Sequence, residues 1–104
     1  MVHLHGKDVM VKQIAEYPVQ VLNWHDRETS PSLSQGKQLF EGIVCGGLQR
    51  VETIVLGTPD MVRKEALQAI ETTGGKRFIL GTGCVVPTVA PYGNILAARQ
   101  SVGI

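Results

Sequence analysis

Four times along the chain, a short apolar run ends on glycine or polar residues and gives way to a segment with helical spacing. That alternation is the pattern of consecutive parallel βα units and fixes the fold class as α/β. The clearest strand is Phe78-Ile79-Leu80, which stops at the turn Gly81-Thr82-Gly83-Cys84. Three apolar side chains in a row suit a strand buried on both faces of a parallel sheet. A thiol at the carboxyl end of such a strand sits where α/β proteins place their chemistry.

The other units follow the same plan. Val2-His3-Leu4-His5-Gly6 reads as a strand, and residues 7–17 as a helix with Asp8 in its first turn and Val9, Met10, Ile14 and Ala15 at helical spacing, ended by Pro18. A second strand runs from Val19 to His25, and Ser30-Pro31-Ser32 opens a short helix carrying Leu33, Leu39 and Phe40. Ile43 to Gly47 is a third strand. Thr58-Pro59-Asp60 supplies an N-cap, a proline at the first helical position and an acid in the first turn. Val62, Ala66, Ala69 and Ile70 mark that helix's buried face, and Gly74-Gly75 ends it. A last helix spans Pro91 to Val102 and carries Ile95, Leu96 and Ala98.

Four units cannot close a barrel of eight. They form a small open sheet or half of a (β/α)₈ barrel, and residues 1–104 read as one such domain. An uncovered edge strand invites pairing, so the expectation is association of two copies or an amino-terminal half elsewhere. A formal charge of +1 argues against nucleic-acid binding, and no apolar run is long enough to cross a bilayer. The opening residues lack the regions of a secretion signal, and two cysteines make no disulfide framework. A cytoplasmic protein with free or metal-bound thiols fits this usage.

His3 and His5 lie two apart on a strand, so they share a face with alpha carbons roughly 7 Å apart. Joined by Cys84, they offer N, N and S ligands with a fourth position open, as in catalytic zinc sites. In a flat sheet the first and fourth strands lie on the order of 14 Å apart, so only a curved sheet brings these groups together. The alternative is a solvated histidine pair and an inert buried thiol. Asn23, His25 and Asp26 form a second cluster at the end of the second strand. His25 can act as acid or base near neutral pH, and Asn23 shares its face. The alternative there is a capped strand end, with Asp26 on nearby backbone amides and Trp24 packed on a helix. Cys45 reads as a buried filler and Thr82 as a turn residue.

Several stretches are similar, in order and spacing, to the carboxyl-terminal half of the uroporphyrinogen decarboxylase superfamily. They are His3-Leu4-His5-Gly6, Tyr17-Pro18 leading to Leu22-Asn23-Trp24-His25-Asp26, Cys45-Gly46-Gly47-Leu48, Gly57-Thr58-Pro59, Ile79 to Cys84, and Ala90-Pro91 with Asn94-Ile95 and Ala97-Ala98. The resemblance implies the last four units of a (β/α)₈ barrel and one of two chemistries. Decarboxylases of the superfamily remove carboxyl groups from a tetrapyrrole without metal or cofactor. Its corrinoid-dependent methyltransferases use zinc, held by a His-x-Cys strand motif and a later cysteine, to activate a thiol.

In this chain the strand motif maps to His3 and His5, with histidine in place of the first cysteine, and the later cysteine maps to Cys84. The replacement keeps a zinc-competent set with less thiolate character. The histidine that decarboxylases carry in a Gly-His-Gly turn maps to Thr82, and their substrate-gripping aspartate and arginines come from the amino-terminal half. The resemblance therefore implies zinc-assisted methyl transfer to a thiol, with porphyrinogen decarboxylation by a longer parent chain or a non-catalytic self-associating half-barrel as alternatives. The implied substrate is a small molecule: a thiol, corrinoid or tetrapyrrole.

Overall fold

The structure is a computed structural model that describes residues 1–5, 11–14 and 16–103. Strands β1 (Val2–Leu4), β2 (Val21–Trp24), β3 (Ile43–Leu48) and β4 (Phe78–Thr82) form one sheet in sequence order. Each neighbouring pair is parallel. Helices α1 (Val11–Ile14), α2 (Leu33–Leu39), α3 (Pro59–Thr73) and α4 (Tyr92–Ser101) alternate with them, giving four βα units in an open arc of a barrel. The expected helix over 7–17 is described only as Val11–Ile14; Lys7, Asp8, Val9, Met10 and Ala15 lie outside the described residues. Among those residues no helix is long and apolar enough to cross a membrane.

Register sorts the side chains into two faces. Val2, Leu22, Val44 and Phe78 lie side by side across the sheet, and so do His3, Asn23, Cys45 and Ile79 one residue on. The first row is apolar and packs under the helices, where Leu22, Trp24 and Val44 meet Val11, Leu33, Phe40 and Ala69. Each valine, leucine or phenylalanine among them that is fully withdrawn from water contributes about 1.5–3 kcal/mol. A second cluster gathers Leu48, Ile54, Val62, Ala66 and Ala97 beneath α3 and α4. The second row faces away from the helices.

Local sequence explains the helix ends. The Ser32 hydroxyl accepts the Gln35 N–H while Gln35 Oε1 accepts the Ser32 N–H, a reciprocal cap. On α3 the Thr58 hydroxyl accepts the Met61 N–H, Pro59 is the first helical residue, and Gly74 ends the helix at φ 71°. Its buried stripe is Val62, Ala66, Ala69 and Thr73. Thr73 takes the place expected of Ile70 because its hydroxyl donates to the Ala69 carbonyl at 2.9 Å and so can be buried.

The structure differs from the sequence reading in three places. β4 is an edge strand, and Ile79 is 44% exposed, because among the described residues no further strand or helix covers the outward side of the second row. In α4 the buried residues are Asn94 and Ala97, while Ile95 and Leu96 are exposed. The Asn94 amide donates to the carbonyls of Ile54 and Gly57, 2.9 Å each, which makes its burial favourable. Those carbonyls border the third difference, a π-helical stretch, Arg50–Val55, between β3 and α3. Its wide turns are held by Ile54 N–H to Gln49 O and Leu56 N–H to Val51 O. Glu65 of α3 braces it by accepting from the Gln49 N–H and the Thr53 hydroxyl.

Candidate metal centre

The carboxyl ends of β1, β2 and β4 converge. Because His3 pairs with Asn23, His5 lies opposite His25 two residues further on, where both strands run out. The turn after β4 swings back over the same point and delivers Cys84. Ligand atoms of His3, His5, His25 and Cys84 all lie within 4.8 Å of one another. The rings of His3, His5 and His25 have centroids 5.3 to 6.0 Å apart. Cys84 Sγ stands 3.9 Å from His5 Nδ1. An end strand and a loop three strands away thus meet over the sheet, which a flat sheet does not permit.

His25 is the buried member, with its side chain 11% exposed and Nδ1 3.7 Å from Glu28. Its Nε2 is buried without a hydrogen-bond partner among the described residues. A buried imidazole nitrogen left unpaired costs about 1–3 kcal/mol unless something occupies it. Three imidazoles and a thiol are the donor set of zinc, so the residues present fit that ion. A concavity of about 580 Å³ on the uncovered sheet face, lined by Met1, His3, Asn23, Cys45, Thr82 and Cys84 among others, leads to the cluster.

Asn23 lies in that concavity and is 7% exposed. Its Nδ2 donates to Cys45 O at 2.8 Å and Thr82 O at 3.1 Å, while Oδ1 lies 2.6 Å from His3 Nδ1. Thr82, the last residue of β4, donates its hydroxyl to the Cys84 carbonyl and so fixes the turn that presents the thiol. Cys45 is buried on the same face outside the cluster, and burial pushes its thiol up, away from the thiolate form.

The structure does not bring Asp26 into this group. Its carboxylate turns back to accept the Gly47 N–H at 3.1 Å and lines a separate groove between α2 and α3. Burial raises its pKa, an effect the Gly47 N–H partly offsets. Next to it, Arg27 donates to Gly47 O and Glu65 O and ties the end of β3 to α3. Trp24 is wholly buried against α2 with Nε1 donating to Pro31 O, as the structural alternative required. The membership of His25 was the part of the centre that strand spacing alone did not reveal.

Gly83 is the hinge of the convergence. A Cβ there would lie 2.7 Å from His25 Cα and 3.0 Å from Trp24 O, so the turn packs directly on the end of β2. Gly83→Ala is expected to cost about 1–3 kcal/mol as overpacking. The same change should lift Cys84 away from the histidines, weakening metal binding about 10–100-fold, as loss of outer supports does. Denaturant melts and metal titration of the variant measure both.

The uroporphyrinogen decarboxylase family model matches residues 1–103. No curated protein sequence matches the chain. Among solved structures, a methyltransferase from Methanosarcina mazei superimposes with a TM-score of 0.76 at 21% identity, over 88% of this chain and 26% of that one. At that identity the likeness is one of fold, and this chain spans about a quarter of the neighbour's length. With four parallel βα units in register and the family model covering nearly every residue, the chain belongs to the uroporphyrinogen decarboxylase family.

Proposed function

We propose that this chain carries the zinc-binding end of a barrel that transfers a methyl group to a small thiol. The observation that carries the reading is the meeting of three imidazoles and one sulfur within 4.8 Å at the carboxyl ends of parallel strands. Its support from outside is family membership and a fold neighbour that is itself a methyltransferase. His3, His5 and Cys84 would hold the ion. When bound, zinc lowers the pKa of a thiol so that it is a thiolate at neutral pH.

The chain's own residues supply the rest. His25, with a buried free nitrogen and Glu28 on its other side, is placed to accept the proton that the thiol loses. The concavity beside the cluster gives the thiol and its methyl donor, a corrinoid in this reading, a way in. The sheet edges at β1 and β4 would be closed by a second half-barrel, from another copy or from the remainder of a longer chain.

A second reading is favoured by one fact: His25 stands within the cluster and not merely near it. As a fourth protein ligand it would close the site, as structural zinc sites are closed. Zinc content and activity of His25→Gln separate the two. About one zinc per chain with thiol methylation lost supports the proton acceptor, and loss of zinc supports the closed site. A wild-type chain that takes up no zinc overturns both.

A further inference from the structure

Asn23, on β2, makes three hydrogen bonds, one to each of the other three strands. Its amide nitrogen faces the carbonyl oxygens of Cys45 on β3 and Thr82 on β4, at 2.8 and 3.1 Å. Carbonyl oxygens only accept, so the orientation of the amide is fixed by chemistry: nitrogen toward β3 and β4, oxygen toward β1. The oxygen in turn can only accept. His3 Nδ1, 2.6 Å away, must therefore carry a hydrogen. A neutral imidazole has one N–H, so the lone pair of His3 is left on Nε2.

We infer that Asn23 is a positioning residue that locks His3 in the Nδ1–H tautomer and so presents Nε2 as the ligating atom. The proposal rests, for its consequence on metal binding, on the zinc reading above; the tautomer does not depend on it. Two features make Asn23 suited to the task. It is 7% exposed, so water does not compete for its amide. It is also held at both donors by the backbone of the two farther strands, so its oxygen has little freedom to leave His3. The same amide that ties β2 to β3 and β4 thereby sets the ligand on β1. Outer partners of this kind fix ring orientation and raise ligand basicity at metal sites.

The test uses long-range ¹H–¹⁵N correlations on metal-free chain labelled at histidine nitrogen, at about pH 8.5, some two units above the ordinary imidazole pKa. Wild type should show His3 as Nδ1–H. Asn23→Asp keeps an acceptor for His3 but loses both strand donors, so it should be less stable while His3 stays Nδ1–H. Asn23→Ser reaches neither partner, and His3 should shift toward the Nε2–H form preferred by free imidazole, with His5 and His25 unchanged. If the buried carboxylate unfolds the chain, Asn23→Gln is the second acceptor-bearing variant. Zinc affinity should fall about 10–100-fold in Asn23→Ser and less in Asn23→Asp.

A purely structural Asn23 predicts that tautomer and affinity do not follow the acceptor. His3 remaining Nδ1–H in Asn23→Ser, or losing it in Asn23→Asp, overturns the proposal. A wild type that shows the Nδ1–H form yet binds no zinc leaves the positioning role standing and removes the zinc reading.

Discussion

Replacing Cys84 with alanine is expected to reduce the zinc carried by the purified chain from about one equivalent to background, with the fold intact. The sulfur is the one soft donor in the cluster, and the three histidines that remain sit at or just past the ends of two separate strands. The turn itself stays in place, since the Thr82 hydroxyl holds the backbone carbonyl of residue 84 and Gly83 packs on the end of β2. The change leaves the core clusters untouched, so the stability of the metal-free chain should move by no more than about 0.5 kcal/mol, the range for surface sites. Elemental analysis and thermal melts with and without chelator give the two readouts. Cys45→Ala is the internal control. That thiol lies outside the cluster, and its variant should keep zinc while losing some stability to a small cavity. Zinc retained by Cys84→Ala, or lost from Cys45→Ala, would sink the assignment.

The fold was legible because each unit announces itself locally. Thr58-Pro59-Asp60 and Gly74 bracket α3, and the structure starts and stops the helix between them. What was not legible depends on partners distant in sequence. The π-helical stretch 50–55 is braced from two helices further along, by Glu65 on the Gln49 N–H and Thr53 hydroxyl and by Asn94 on the Ile54 and Gly57 carbonyls. For the same reason the apolar residues of α4 do not all mark its inner face: Ala98 packs on the core while Ile95 and Leu96 do not. A reading by hydrophobicity chooses Ile95 and Leu96, and it cannot see that an amide with two carbonyls to bond is better buried than they are.

The site divides along the same line. Spacing of two on a strand put His3 with His5 and Asn23 with His25, because face alternation is a local property. Which residue of β1 stands opposite which residue of β2 is not local. Only the pairing of His3 with Asn23 turns two separate pairs into one cluster and makes His25 a neighbour of His5. Asp26, adjacent in sequence, falls to the other side of the strand end because side chains alternate there, because Gly46 leaves room for its carboxylate, and because the Gly47 N–H bonds it.

Trp24→Ala should be the most damaging single change in the chain, at about 3–5 kcal/mol. Trp24 is the largest wholly buried side chain, and it sits between Asn23 and His25 on the opposite face of β2. Against a total stability of about 5–15 kcal/mol for a domain of this kind, the loss leaves little folded protein at elevated temperature. The midpoint should drop about 4–8 °C for each kcal/mol. Circular dichroism, not fluorescence, is the measure, since Trp24 is the single tryptophan. The mechanism can be checked by approaching the same contact from the other side. A methyl group at Gly36 of α2 would overlap Cη2 and Cζ2 of the indole, so Gly36→Ala should destabilise by about 1–3 kcal/mol through overpacking. In Trp24→Phe the ring is smaller and the Nε1 bond to Pro31 O is lost, leaving space where that methyl would go. The double variant should then cost less than the sum of the two single changes. Strict additivity would mean that the indole and Gly36 are not the packed pair that seats α2 against β2.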